Sequence, residues 1–112
     1  MKTFSMTDIG RKREVNQDYV FATDETIGNL QNLLVVADGM GGHRAGDFAS
    51  RFTVEDLAEE VQNCKETHPE TILGNSIQAA NERLLEEAEK DNRLEGMGTT
   101  LVAATIMDHV LY

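Results

Sequence analysis

The segment VVADGMGGHRAG, residues 35–46, ends an apolar run on an aspartate and then a glycine. A carboxylate at the end of a buried strand is a common ligand position in sheets flanked by helices. Without a side chain, Gly39 can turn its carbonyl toward the same ligand as the Asp38 carboxylate. Such hard oxygen donors suit Mg²⁺ or Mn²⁺ better than zinc. Asp38 and Gly39 are therefore candidate metal ligands, and the alternative is a simple Asp-Gly turn between a strand and a helix.

Two more glycines, Gly41 and Gly42, precede a helix that is predicted to start near His43 or Arg44. Glycine-rich loops before helices can bind phosphate through backbone N–H groups. The spacing here matches neither the dinucleotide-binding fingerprint nor the P-loop. A nucleotide-binding α/β domain is therefore the weakest of the functions considered.

A second segment, TDIGRKREVNQD, holds three basic residues in an otherwise acidic chain. An arginine side chain offers a fork of donors that matches phosphate oxygens. Arg13 is a candidate for binding a phosphate group near a metal, whereas the two basic residues before it are better explained by a solvated loop. Asp18 ends this segment beside a short predicted strand, from which it could reach the same place as Asp38.

A third segment, GMGTT, covers residues 96–100 and leads into an apolar strand. Its small residues are consistent with close packing near the same centre. They are equally consistent with the end of a helix, followed by two β-branched residues that favour a strand. Both interpretations stay open at this point.

The elements that must position these residues follow from the apolar pattern. A helix is predicted from about His43 to Val61, and a second from about Thr67, where Thr67 and Glu70 have the form of a capping box. The continuous apolar run at residues 33–37 predicts a strand covered on both faces. Further strands are predicted at residues 3–8, 19–23 and 99–107, and another begins at Val110 after a turn at Asp108 and His109.

Composition narrows the class of protein. The chain has 112 residues, enough for one domain, and a net charge of −10, which excludes nucleic acid or an anionic membrane as the main partner. Its single cysteine allows no internal disulfide, and no apolar run is long enough to span a membrane. The first ten residues lack the apolar core of a signal peptide. These features predict a cytoplasmic protein, and the chain's end on a barely begun strand predicts the front half of a larger domain.

The three segments, in this order and at this spacing, resemble the metal-dependent protein phosphatases of the protein phosphatase 2C or PPM family, bacterial type. The resemblance implies an α+β fold, a β-sandwich of antiparallel sheets flanked by helices in α-β-β-α layers. Residues 1–112 would form the N-terminal portion of a single phosphatase-like domain. The implied activity is hydrolysis of phosphoserine and phosphothreonine in proteins by a water activated by two Mn²⁺ or Mg²⁺ ions.

The resemblance also implies roles for individual residues. Asp38 would bridge both ions, Gly39 would offer its carbonyl to one of them, and Arg13 would bind the substrate phosphate. Asp18 matches an acidic residue at the metal cluster, but Gln17 replaces a glutamate that binds metal in many eukaryotic members. Asp18 could therefore act directly or through water.

His43 matches the proposed general-acid histidine of the family only loosely. In many members that histidine follows Asp-Gly at once, whereas here Met-Gly-Gly comes between them. A catalytic role for His43 therefore stands beside the role of a simple helix-start residue.

Family segments that complete the metal cluster, a Gly-Asp-Ser-Arg stretch and two later aspartates, do not occur in this sequence. We therefore expect the fragment to be inactive alone and to associate with itself. The partners implied for the parent domain are phosphorylated proteins, among them a serine/threonine kinase. The alternative function is a non-catalytic metal- or partner-binding module derived from a phosphatase.

Overall fold

The chain has an α+β fold in which two helices pack with antiparallel sheets. A computed structural model describes residues 18–40, 43–91 and 98–112. The strand predicted at residues 3–8 lies outside these ranges. In chain order the elements are β1 (Asp18–Thr23), β2 (Leu33–Met40), α1 (His43–Asn63), α2 (Pro69–Lys90), β3 (Gly98–Ala104), β4 (Ile106–Met107) and β5 (Val110–Leu111).

Strands β1, β2 and β3 form one antiparallel sheet with β2 in the centre. Val36 of β2 lies opposite Val20 of β1 and Val102 of β3. Residues that face each other in antiparallel strands share one face of the sheet. The register therefore fixes which residues surround each end of β2.

Burial alternates along β2, as expected for a strand with one covered face. Leu33, Val35 and Ala37 are fully buried on the side of α1, whereas Val36 is 38% exposed and its neighbour Val102 is 66% exposed. The prediction of a strand covered on both faces is thus wrong for the described residues. The reason is that α1 covers one face of the sheet and α2 packs mainly on α1.

The core lies between the sheet and the helices. Val54, Leu57 and Val61 of α1 are buried at helical spacing, and they belong to the same cluster as Ile72 and Ala80 of α2. Among the described residues, neither helix is long and apolar enough to cross a membrane.

Helix α2 begins one residue later than the capping-box pattern predicted. His68 is the N-cap, and its Nδ1 accepts a hydrogen bond of 3.2 Å from the backbone N–H of Glu70. Pro69 follows as the first helical residue. Glu70 is then the second helical residue rather than the third, so the prediction of a capping box between Thr67 and Glu70 is wrong.

The strand predicted at residues 99–107 is broken at Thr105. This residue is fully buried, and its backbone pairs with that of Tyr112. The Asn32 side chain, at the start of β2, accepts hydrogen bonds from the Thr105 hydroxyl at 2.9 Å and from the Ile106 N–H at 2.8 Å. It also donates to the Ile106 carbonyl at 2.8 Å. Asn32 therefore clamps the start of the β4–β5 hairpin to the main sheet.

The turn predicted at Asp108 and His109 joins β4 to β5. Both residues have left-handed backbones, with φ of 53° and 68°. Two consecutive positive φ angles are typical of the tight turn that matches the twist of a two-stranded hairpin. The prediction of a turn here is confirmed.

Candidate functional site

Asp38 lies inside β2 rather than in a loop after it. The strand continues through Gly39 to Met40, because Thr99 and Gly98 of β3 pair with these two residues. The expectation that the aspartate follows the strand is therefore wrong. Asp38 is exposed, on the face of the sheet opposite to the buried Ala37. Its carboxylate is available to a ligand in solvent.

The register places Asp18, the first residue of β1, directly opposite Asp38. Opposed residues of antiparallel strands have Cα atoms about 4.5–5.5 Å apart. Thr100 lies opposite Asp38 on the other side. Two acidic residues at opposed positions are unfavourable unless a counter-charge offsets them. A cation at this end of the sheet would supply that counter-charge.

Gly39 is required by a contact between backbones. A Cβ added at Gly39 would lie 1.8 Å from the carbonyl oxygen of Gly46 and 2.6 Å from its carbonyl carbon. No side chain fits between β2 and the first turns of α1 here. The glycine after Asp38 thus has a packing role of its own, whether or not its carbonyl binds a metal.

Gly46 is the residue of α1 that Gly39 approaches, and its role is in packing at the edge of the candidate site. It is buried, and it lies in the helix that begins at His43. An isolated glycine inside a helical pattern often marks a close approach of another backbone. That signal was present in the sequence and could have identified Gly46.

The segment that carries Asp38 and Gly39 is supported by both neighbouring strands. On β3, the Thr99 hydroxyl lies 3.0 Å from the Asp38 carbonyl oxygen. On β1, the Tyr19 hydroxyl donates a hydrogen bond of 3.2 Å to Glu55 of α1. The site end of the sheet is therefore tied to α1 as well as paired across its strands.

The register of β3 distinguishes the two interpretations of the GMGTT segment. Residues 98–100 belong to β3 and pair with residues 38–40, whereas α2 already ends at Lys90 with Asp91 as its C-cap. This arrangement favours close packing near Asp38 over a helix end. Residues 96 and 97 lie outside the described ranges.

The remaining predicted site residues are only partly placed. Arg13 lies outside the described residues, and His43 is described as the first residue of α1 without its side chain. For Asp18 only the strand backbone is described. Within residues 18–40, 43–91 and 98–112, no group of three or more His, Cys, Asp or Glu side chains could hold a metal ion.

The donor chemistry at this end of the sheet nevertheless fits Mg²⁺ or Mn²⁺. It comprises the exposed Asp38 carboxylate, the backbone of Gly39 and a second acidic residue at the opposed position. All are oxygen donors, which these ions prefer. A single direct carboxylate would leave most of the coordination to water.

The pKa of Asp56 is shifted, and this residue lies away from the candidate site, between α1 and α2. Burial raises the pKa of Asp56, the nearby Arg83 guanidinium lowers it, and the neighbouring Glu60 and Glu59 raise it. The Asp56 side chain is 11% exposed and lies 3.6 Å from Arg83, which also pairs with Glu60 at 3.1 Å. Asp56 and Glu60 of α1 therefore join this helix to α2 through Arg83.

Comparison with known proteins shows the family. A family model described as protein phosphatase 2C matches residues 9–111. A putative protein phosphatase 2C-type protein of Streptococcus pyogenes is 40% identical over 111 residues, which cover 96% of this chain and 44% of that protein. The serine/threonine phosphatase stp of Listeria monocytogenes is 44% identical over 107 residues, which cover 88% of this chain and 40% of that protein.

Solved structures agree with this assignment. The serine/threonine phosphatase PstP/Ppp of Mycobacterium tuberculosis superposes with a TM-score of 0.69 at 34% identity, covering 93% of this chain and 41% of that chain. Serine/threonine phosphatase Stp1 of Staphylococcus aureus gives a TM-score of 0.69 at 33% identity, covering 90% of this chain and 40% of that chain. The chain belongs to the protein phosphatase 2C family. It spans about two fifths of the length of the curated relatives it matches.

Proposed function

We propose that this chain is part of a metal-dependent phosphatase domain that hydrolyses phosphoserine and phosphothreonine in proteins. Family membership supports a phosphatase, and relatives that carry the name serine/threonine phosphatase support the substrate class. The single observation that carries the proposal is the pairing of Asp18 with Asp38, next to a glycine that packs directly on α1.

In this proposal the acidic end of the sheet holds Mn²⁺ or Mg²⁺. Asp38 would bridge two ions, the Gly39 carbonyl would bind one of them, and Asp18 would bind directly or through water. When bound, the ions would supply a water of lowered pKa and positive charge opposite the phosphoryl oxygens.

Two basic residues of the chain, Arg13 and His43, would bind the substrate phosphate and protonate the leaving group. Arg13 would hold the phosphate by two parallel hydrogen bonds and orient it for in-line attack. His43 would donate a proton to the leaving oxygen if it acts as the general acid. In a protein that carries this chain within an active domain, Arg13→Ala should mainly raise the KM for a phosphopeptide. An unchanged kcat/KM would show that Arg13 is only a surface residue.

The proposed partners are phosphorylated proteins, including a serine/threonine kinase, in the cytoplasm. Kinase regulation by dephosphorylation is implied by the family resemblance. Incubating the phosphorylated kinase with the active parent domain tests it directly. Loss of phosphate from the kinase that depends on Asp38 would support the proposal, and no loss would contradict it.

Alone, this chain should have little phosphatase activity. Two carboxylates and one carbonyl are too few to neutralise and orient two divalent ions, and loss of one ion costs several orders of magnitude in rate. The test is hydrolysis of p-nitrophenyl phosphate and of a phosphothreonine peptide in millimolar Mn²⁺. A turnover of about one per second would contradict the idea of an incomplete site, because an activated nucleophile would then be in place.

A non-catalytic metal- or partner-binding module is the second candidate. It would use the same oxygen donors, Asp38 and Gly39, without a complete catalytic centre. Measuring Mn²⁺ binding and hydrolysis in a protein that contains this chain and the rest of the domain distinguishes the two candidate functions. Binding of Mn²⁺ without any hydrolysis there would favour the module.

We also propose that the chain associates with a second copy of itself through the open face of its sheet. Val36 and Val102 are paired across β2 and β3 and are 38% and 66% exposed. Burying such a face against the same face of another chain relieves an exposed apolar surface. Light scattering should show a dimer or larger species at micromolar concentration. A clean monomer would contradict this.

A further inference from the structure

A side chain on β3 reaches the peptide bond that joins the two candidate metal ligands. The Thr99 hydroxyl lies 3.0 Å from the carbonyl oxygen of Asp38, 61 residues away in the sequence. The same hydroxyl lies 3.0 Å from the carbonyl of Thr100, so its proton serves one carbonyl at a time. Because the Asp38–Gly39 peptide is planar, a hydrogen bond to its carbonyl restrains the whole unit, including the Gly39 N–H.

Pairing with β3 already restrains this peptide, and the Thr99 hydroxyl adds a restraint at a residue, Gly39, that is intrinsically permissive. Glycine has the widest choice of backbone angles, and the contact with Gly46 forbids any replacement that would narrow it. Gly46 limits Gly39 on the helix side by simple exclusion. Thr99, which lies opposite Gly39 in the register, supplies a directional contact from the neighbouring strand.

We propose that Thr99 is a positioning residue whose hydroxyl holds the Asp38–Gly39 peptide, and with it the two Cα atoms from which the Asp38 carboxylate and the Gly39 carbonyl extend toward one cation. The metal part of this proposal depends on the function proposed above. The effect on the backbone does not depend on it. Removing a side chain that hydrogen-bonds to a metal ligand without touching the metal typically lowers metal affinity by about 10- to 100-fold. Since the Thr99 hydroxyl is shared between two carbonyls, we expect about 3- to 10-fold here.

The surroundings of Thr99 permit a clean substitution. Its side chain lines an open groove of about 270 Å³ between α1, α2 and β3, together with Leu84 and Leu101. Valine has nearly the shape of threonine and favours strands, so Thr99→Val removes the hydroxyl with little change in packing. Thr99→Ser keeps the hydroxyl and is the matched control.

The experiment compares the full 112-residue chain with Thr99→Val, Thr99→Ser and Asp38→Asn. Mn²⁺ affinity is measured by electron paramagnetic resonance of the free ion. Hydrogen exchange of the Gly39 amide is measured by NMR without metal, with the amide of the buried Leu57 as internal reference. We expect Thr99→Val to weaken Mn²⁺ binding about 3- to 10-fold and to speed exchange at Gly39 but not at Leu57. Thr99→Ser should stay within about twofold of the wild type in both.

The outcomes separate this inference from the proposed function. If Thr99→Val leaves both the Mn²⁺ affinity and the Gly39 exchange unchanged, Thr99 has no positioning role. If the wild type and Asp38→Asn bind Mn²⁺ equally, the proposed metal function fails, and the metal-free exchange alone decides on Thr99. If Thr99→Ser behaves like Thr99→Val, the hydroxyl is not responsible and the proposal is overturned.

Discussion

Replacing Gly39 with alanine should destabilise the chain by forcing β2 and α1 apart. The added Cβ would lie 1.8 Å from the Gly46 carbonyl oxygen, which is 1.6 Å short of the 3.4 Å at which ordinary contact begins. The obstacle is backbone, so the helix itself must move. Overpacking typically costs about 1–3 kcal/mol, and a backbone obstacle places this contact at the upper end of that range. Alanine also reduces the conformational entropy of the unfolded chain, which offsets about 1 kcal/mol of this cost. The net expectation is a loss of about 2 kcal/mol, or a melting temperature lower by about 8 °C for a chain of this length.

Gly74→Ala is the matched control. This glycine lies inside α2, and a Cβ there would meet nothing within 4 Å. Alanine is the better helix former, so this variant should gain about 0.5–1 kcal/mol. Urea unfolding followed by circular dichroism measures both variants. A free energy of unfolding for Gly39→Ala within about 0.5 kcal/mol of the wild type would refute the close-approach argument.

Two further predictions concern the parts of the fold around the site. Burial raises the pKa of Asp56 above its ordinary value of 3.8, so the folded chain binds more protons there than the unfolded chain between those two pKa values. The free energy of unfolding of the wild type, relative to that of Asp56→Asn, should therefore rise as the pH falls through this window. Urea unfolding at several pH values measures this difference, and a difference that falls over the window would contradict the prediction. Asn32→Ala should cost about 1–3 kcal/mol, because the clamp on the β4–β5 hairpin loses two to three hydrogen bonds. Asn29→Ala, which removes one exposed bond to the Glu66 carbonyl, is its control, and an equal loss in both would refute the clamp.

Local patterns predicted most of the elements but not where they end. The helical spacing of apolar residues indicated both helices, and the Asp108–His109 turn was confirmed with both φ angles positive. The extension of β2 past Asp38 depends on pairing with β3, 60 or so residues later in the chain. Contacts of that separation leave no trace in a local window, which is why the sequence placed Asp38 after the strand.

In the candidate site, too, local sequence features predicted some residues and long-range contacts decided the rest. Residue type and position alone singled out Asp38 and Gly39 as oxygen donors, and the register then placed Asp18 opposite Asp38. The contact of Gly39 with Gly46 and the reach of Thr99 to the Asp38 carbonyl required the tertiary arrangement. The roles of residues outside the described ranges, such as Arg13, stay predictions.

Calorimetric titration with Mn²⁺ tests most directly whether Asp38 holds a divalent cation. The chain should bind Mn²⁺ weakly, with a dissociation constant of about 0.1–1 mM, because a site with one direct carboxylate leaves most of the coordination to water. Asp108→Asn is the control, since it removes an exposed carboxylate from a turn with φ of 53°, which asparagine tolerates. This control should bind Mn²⁺ like the wild type, and Asp38→Asn should lose at least about tenfold in affinity. Equal binding by Asp38→Asn and the wild type would contradict this expectation.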